Sequence, residues 1–212
     1  MVFRESSTQQ EVYEQTTQPL IDSVLNGFNA TVLAYGATGA GKTHTITGTH
    51  SDPGIIFRAM KDLYERIEAV KQSKVIEASL SYLEVYNETI RDLLVPSSSP
   101  DKVLDLREDE SHVAVVGLTQ HKPENVESIM KLLLLGNSNR TKAETQANAT
   151  SSRSHAVLQI HVKQRDRGGN VSTSYTHATL TIIDLAGSEV CLPLFRNAWA
   201  ISTISNRFHV NL

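Results

Sequence analysis

Fifteen consecutive residues, Thr31 to Thr45, constrain this chain more than any others. Thr31-Val32-Leu33-Ala34-Tyr35 reads as a short buried strand, and Gly36-Ala37-Thr38-Gly39-Ala40-Gly41-Lys42-Thr43 fits the phosphate-loop pattern G-x-x-x-x-G-K-[ST]. His44 and Thr45 continue the first turn of a helix. Each residue type has a physical job. The glycines let the backbone curl so that successive N–H groups point at phosphate oxygens. The helix behind them adds the positive end of its dipole to the same spot. Lys42 supplies a mobile point charge for the β- and γ-phosphates, and the Thr43 hydroxyl is a hard oxygen ligand for Mg²⁺. Such spacing arises by chance in roughly one chain in a hundred of this length, and the apolar strand in front lowers that further.

A loop of this kind needs a core to stand on. With 212 residues, 40% hydrophobic and 20% charged, the chain is ordinary for one globular domain. A net charge of −3 gives no global reason for nucleic acid or an anionic membrane as partner, and neither is expected. The single cysteine, Cys191, excludes a disulfide framework and points to a reducing, cytoplasmic compartment. No signal peptide opens the chain, and the longest aliphatic run, Leu132–Leu135, is far too short to span a bilayer. The histidines lack metal-ligand spacing, so His155 and His161 read as structural or solvent-facing. Composition breaks near the end: all 23 acidic residues lie in 1–189, whereas Val190–Leu212 has none, yet holds the only Trp and the only Cys.

Local patterns divide the rest. Thr8-Gln9-Gln10-Glu11 has capping-box spacing and starts a helix with Val12, Thr16, Leu20 and Val24 on its inner face. Pro19 should kink or divide it, and Asn26-Gly27 stops it. A short helical piece follows Thr43 to Gly48, then a turn-rich stretch, then a helix marked by Ile56, Met60, Leu63, Tyr64, Ile67 and Val70. Val75–Val85 reads as a long strand turning at Tyr86-Asn87-Glu88, with Asp92–Val95 returning to the sheet. Residues 96–100 form a Pro/Ser loop, and Val103–Arg107 with His112–Leu118 suggest a hairpin. Val126, Ile129, Met130 and Leu133 mark a helix ending near Gly136, and residues 137–154 read as a long polar loop of functional character.

Ala156–Val162 and Ala178–Leu185 are strands around a Gly168-Gly169-Asn170 turn. The second ends in Ile182-Ile183-Asp184-Leu185-Ala186-Gly187, an apolar strand delivering an aspartate and then a glycine. This is the Walker B layout, in which the Asp holds Mg²⁺ through water and the Gly N–H faces the γ-phosphate. Strands and helices interleaved around a phosphate loop predict an α/β fold of the P-loop NTPase kind. Its mixed central sheet carries flanking helices, with phosphates at the carboxyl ends of the strands.

Three segments together carry a resemblance. Gly36–Thr43, then Asn148-Ala149-Thr150-Ser151-Ser152-Arg153-Ser154-His155, then Asp184-Leu185-Ala186-Gly187-Ser188-Glu189 resemble the P-loop, switch I and switch II of a kinesin motor domain, in the kinesin order. Tyr82-Leu83-Glu84-Val85-Tyr86-Asn87-Glu88 and Ala34-Tyr35-Gly36-Ala37-Thr38-Gly39 look closest to the kinesin-8 class. The resemblance implies ATP and Mg²⁺ as ligands, microtubule-stimulated ATP hydrolysis, tubulin as partner and the microtubule cytoskeleton as location. It implies that Ser151 and Ser152 reach the γ-phosphate and Mg²⁺, so that Thr43, Ser152 and Asp184 share the metal. It implies that Asn148 supports loop closure, that Gly187 senses the γ-phosphate, and that Arg153 pairs with Glu189 to latch the switches around ATP.

The resemblance covers residues 2–189 and departs from the family at both ends. The Arg-x-Arg-Pro segment that kinesins place near the adenine is missing, as are the main microtubule-contact helix, the neck linker and any dimerisation segment. An incomplete motor domain over 1–189 is therefore expected, with weak nucleotide affinity and no motility. Val190–Leu212 is expected to be an unrelated tail, translated intron or frame-shifted DNA, since Val-Cys at the break can be encoded by the splice-donor-like GTATGT. A GTP-binding switch would share the phosphate loop and Asp-x-x-Gly, yet the chain has no Asn-Lys-x-Asp guanine reader. A non-enzymatic fragment that associates through its sheet is the other alternative; it would be indifferent to Lys42→Ala.

Overall fold

The computed structural model describes residues 1–49, 51–96, 103–108, 113–146, 153–168 and 174–189. A five-stranded mixed sheet runs through its centre. From one edge to the other come β1 (Ala30–Ala34), β7 (Thr176–Asp184), β6 (His155–Asp166), β2 (Lys74–Tyr86) and β3 (Thr89–Asp92). Only β1 and β7 run parallel; β7, β6, β2 and β3 pair antiparallel in turn. A separate hairpin joins β4 (Asp105–Glu108) to β5 (Val113–Val116), where the sequence placed one. The architecture is the α/β one expected: a mixed central sheet with flanking helices.

Alternation along the strands builds two cores. Leu80, Tyr82, Leu158, Ile160, Leu180 and Ile182 face the larger one. There they meet Tyr13, Ile21 and Val24 from α1 (Gln9–Thr16) and α2 (Gln18–Leu25), and Ile55, Met60 and Leu63 from α4 (Ile55–Val70). Ile129 and Leu133 of α5 (Val126–Gln146) complete it. On the opposite face, Leu83, Val85, Val157 and Ile183 close a smaller cluster with Ile90 and Leu104. Among the described residues, no helix is long and apolar enough to cross a membrane.

Two sequence expectations hold in detail. Thr8 caps α1 through a capping box with Glu11, and Pro19 divides the first helical stretch by sitting at the start of α2, where its missing N–H costs nothing. The inner face, however, is Gln9, Tyr13, Thr17, Ile21 and Val24, whereas Val12, Thr16 and Leu20 are only half-buried. The buried positions keep helical steps through Thr17, one residue on from Val12, Thr16 and Leu20, and the buried Gln9 amide donates to the His44 carbonyl at 2.6 Å.

Two other expectations are corrected. The returning strand is Thr89–Asp92; Leu93 and Leu94 are buried in the bend beyond it. The fifth helix does not end near Gly136 but runs to Gln146, taking in most of the supposed polar loop. Gly136 is there because the helix lies against Tyr82: a Cβ would sit 2.8 Å from the ring carbon Cε1 and closer still to Cδ1. The polar residues after it are satisfied inside the fold. Tyr82 donates to Asn137 at 3.0 Å, and the Asn139 amide donates to the carbonyls of Leu93 at 2.9 Å and Val95 at 3.0 Å. Most of the Pro/Ser loop and the whole Val190–Leu212 tail lie outside the described residues.

Candidate nucleotide site

The parallel pair β1 and β7 sets the site. Ala34 is in register with Asp184, so the glycine-rich loop after β1 and the segment after β7 leave the sheet side by side at its carboxyl edge. Leu185 N–H donates to the Ala34 carbonyl at 3.3 Å, and Ser188 N–H to the Gly36 carbonyl at 3.0 Å. Two stretches about 150 residues apart thus form one surface.

The loop has the curl that phosphate binding requires. Gly39 and Gly41 adopt φ of 80° and 89°, and an added Cβ would meet nothing within 4 Å at either. Backbone conformation, not space, selects glycine there. Gly41 is the N-cap of α3 (Lys42–Ile46), so the loop runs directly into a helix start with open N–H groups. The Lys42 amine folds back and donates to the carbonyls of Gly36 and Ala37, each at 2.9 Å. Phosphate oxygens would take the place of those two carbonyls.

Thr43 and Asp184 meet. The Thr43 hydroxyl donates to Asp184 Oδ2 at 2.7 Å, and Asp184 is buried. Its other oxygen, Oδ1, is buried with no hydrogen-bond partner among the described residues. A hard-oxygen donor pair with one vacant carboxylate oxygen is the chemistry a hydrated Mg²⁺ takes, so these residues fit the ion.

Gly187 lies against Thr38: a Cβ there would collide with the Thr38 hydroxyl and with the Glu189 carboxylate. Glu189 accepts from Thr38 N–H at 3.1 and 3.3 Å and from the Thr38 hydroxyl. These bonds, with the neighbouring Lys42 charge, hold its carboxyl below the usual range. Arg153 is exposed and makes no ion pair with Glu189 among the described residues. Asn148, Ser151 and Ser152 lie outside the described residues.

The sequence reading missed Arg140. It sits on α5, 6% exposed, and its Nη1 donates to Asp184 Oδ2 at 2.8 Å. Its Nε lies 3.9 Å from Glu84 Oε1, and its Nη2 donates to the carbonyl of fully buried Ser154 at 3.4 Å. Glu84 on β2 is itself only 1% exposed. Below them Tyr82 is pushed up to about 12, chiefly by burial. A basic residue within a polar run carries no periodic signal. Its phase could still have given it away, since Leu133, Gly136 and Arg140 follow helical steps past the expected stop. His155 and His161 take structural roles. His155 Nδ1 accepts from Ala186 N–H at 3.1 Å, and the His161 ring lies 3.4 Å from the Ser81 hydroxyl and 3.2 Å from that of Thr179.

Comparison with known proteins agrees with this geometry. The family model for the kinesin motor domain matches residues 1–193. Kinesin-like protein KIP3 of Saccharomyces cerevisiae is 56% identical over 189 residues, covering 89% of this chain and 23% of the relative. Kinesin-like protein 5 of Schizosaccharomyces pombe is 55% identical over 190 residues, covering 89% and 22% respectively. Kinesin-like protein KIF18A of Mus musculus is 51% identical over 189 residues, with 89% and 21% covered. The solved structure of a fast kinesin superposes with a TM-score of 0.82 at 33% identity, covering 88% of this chain and 52% of that one. The chain therefore spans about half of a solved kinesin chain, and between 21% and 23% of these three relatives.

Proposed function

We propose that this chain, which belongs to the kinesin motor family, forms the ATP-binding and ATP-hydrolysing part of a microtubule-based motor. The observation that carries the reading is the contact between Thr43 and Asp184 at the ends of two parallel strands, beside a curled glycine loop. In this reading the N–H groups of residues 36–43 and the Lys42 amine bind the phosphates, and catalysis is mainly positioning plus charge stabilisation. Thr43 and Asp184, with Ser152 by resemblance, would hold Mg²⁺, which when bound neutralises charge building up on the phosphate oxygens.

Gly187 and Glu189 then have the remaining work. Without a Cβ, Gly187 fits against Thr38 and Glu189, and we assign its N–H to the γ-phosphate. Glu189 must leave Thr38 to pair with Arg153, and we assign the latch around ATP to that exchange, with Asn148 and Ser151 closing from the other side. Loss of the γ-phosphate would release the segment after Asp184. Tubulin is the partner that the family membership supports, and the microtubule cytoskeleton the location.

Equilibrium binding of a fluorescent ATP analogue, with and without Mg²⁺, tests the nucleotide site, and ATP turnover with and without microtubules tests the motor reading. Mg²⁺-dependent binding that Lys42→Ala weakens by about tenfold or more is the expected result. Binding that is indifferent to Lys42 and to Mg²⁺ would remove the proposal.

A further inference from the structure

We propose that Glu189 sets the preference of this site between a triphosphate and a diphosphate: its carboxylate takes the place of the γ-phosphate, so ATP must displace it and ADP need not. The inference rests on the nucleotide-site reading above and adds to it a competing anion built into the chain.

Three groups that this reading gives to the phosphates surround the carboxylate. Thr38 N–H, one of the loop donors, reaches both of its oxygens, at 3.1 and 3.3 Å, and the Thr38 hydroxyl donates to Oε1. Gly187 lies close enough on the other side that a Cβ would strike Oε1. The Lys42 charge is near enough to act on the same group. Loop N–H, amine and glycine thus converge on one anion. The Thr38 hydroxyl first, and backbone donors after it, hold the carboxyl below its ordinary range, so it carries its charge.

Backbone pairing sets the contact up. The N–H groups of Leu185 and Ser188 strap the segment after β7 to the Ala34 and Gly36 carbonyls, so Glu189 follows directly on a fixed point. Its side chain is exposed, and water on the open side keeps the charge solvated while the other side meets the loop. The Lys42 amine, for its part, bonds the Gly36 and Ala37 carbonyls at 2.9 Å. The chain therefore answers these loop donors with its own oxygens.

Competition between anions gives the selectivity. A carboxylate and a phosphate cannot share Thr38 N–H, because like charges a few ångströms apart repel. ATP would bind less tightly than its own contacts allow, whereas ADP ends at the β-phosphate and leaves Glu189 on Thr38. Release of Glu189 toward Arg153 then depends on the third phosphate. A hydrogen bond to a charged group corresponds to about tenfold or more in affinity, which sets the size of the discrimination.

The latch must be taken out of the comparison, since loss of Glu189 would weaken it as well. The test therefore uses the full chain carrying Arg153→Ala, with and without Glu189→Ala. It reads equilibrium affinities for ADP and for a non-hydrolysable ATP analogue, both with Mg²⁺. Adding Glu189→Ala should tighten the triphosphate relative to the diphosphate by about tenfold or more. Glu189→Gln, which keeps an acceptor for Thr38 N–H and drops the charge, should move the ratio part of the way, and carries the test alone if the alanine variant does not fold. A ratio that stays level or moves toward ADP would overturn the inference and leave the nucleotide site standing. An unsubstituted chain that binds neither nucleotide would instead remove the site reading, and this inference with it.

Discussion

Thr43 and Asp184 stand 141 positions apart in sequence, and the hydroxyl of one donates to the carboxylate of the other at 2.7 Å. The contact follows from the parallel pairing of β1 and β7, which ends both strands at one edge. It predicts a separation of roles between neighbouring residues. Thr43→Val keeps the branched shape and removes the hydroxyl, so nucleotide retention should lose its Mg²⁺ dependence while binding in EDTA persists. Lys42→Ala should weaken binding under both conditions, by about 1.5–3 kcal/mol or roughly 10- to 100-fold for each charged hydrogen bond lost. Because Lys42 is only half-buried and, among the described residues, bonds only loop carbonyls, the melting temperature should hardly move. Titration of a fluorescent nucleotide with parallel melting curves checks both.

Gly136 predicts an inversion of helix propensity. Alanine in a helix interior is ordinarily better than glycine by about 1 kcal/mol. Here its Cβ would enter the Tyr82 ring, at 2.8 Å from Cε1 and closer to Cδ1, in a site where the ring is buried and its hydroxyl engaged. Overpacking a core costs about 1–3 kcal/mol, so Gly136→Ala should destabilise. The double variant Gly136→Ala/Tyr82→Leu should recover part of the loss. Urea unfolding of the parent and the three variants reads the coupling; a stabilised Gly136→Ala would mean that the helix and ring do not touch.

What the sequence revealed and what it hid follow from the same physics. Apolar alternation in Val75–Val85 and the apolar run at Ile182-Ile183 were legible because those strands bury hydrocarbon, and the phosphate loop was legible because its backbone demands glycine at fixed positions. The second half of α5 was illegible because it buries polar groups. Asn137, Asn139 and Arg140 look like loop residues until Tyr82, the Leu93 and Val95 carbonyls and Asp184 are in place to receive them. Gln9 escaped for the same reason, since its burial depends on a His44 carbonyl 35 residues away. Periodicity reads hydrophobic faces and passes over a helix that turns hydrogen-bonding groups inward at a site.

Thr8 gives the simplest stability prediction. Its hydroxyl accepts from Glu11 N–H at 3.2 Å, and its own N–H donates to the Glu11 carboxylate at 2.8 Å. Thr8→Ala leaves one helix donor without this partner and should cost about 1 kcal/mol. Thr8→Ser should retain most of it. Since α1 carries Gln9 to the carbonyl of His44 in α3, the Ala variant should also raise amide exchange at the start of α3, measurable by mass spectrometry.

His155 predicts how stability depends on pH. Its ring is neutral in the fold: burial first, and the nearby Arg140 charge second, hold its pKa below the ordinary 6.5, with Asp184 opposing. Nδ1 is also committed as acceptor for the N–H of fully buried Ala186, so a proton there would set two N–H groups against each other. The unfolded chain therefore takes up the proton first. Between the ordinary value and the lower folded one it binds more protons than the folded state, and stability must rise with pH through that interval. His155 thus contributes fully above about pH 6.5, and its contribution fades as the pH falls toward the folded value. His161, lowered by burial alone, adds in the same direction. Denaturant midpoints from pH 7.5 down to 5 should fall for the parent chain. His155→Gln, whose amide oxygen can accept from Ala186 without titrating, should flatten the curve and leave a smaller slope from His161. A parent whose midpoint holds level over that range would show that the ring can be protonated in place, with the segment after Asp184 free to give way.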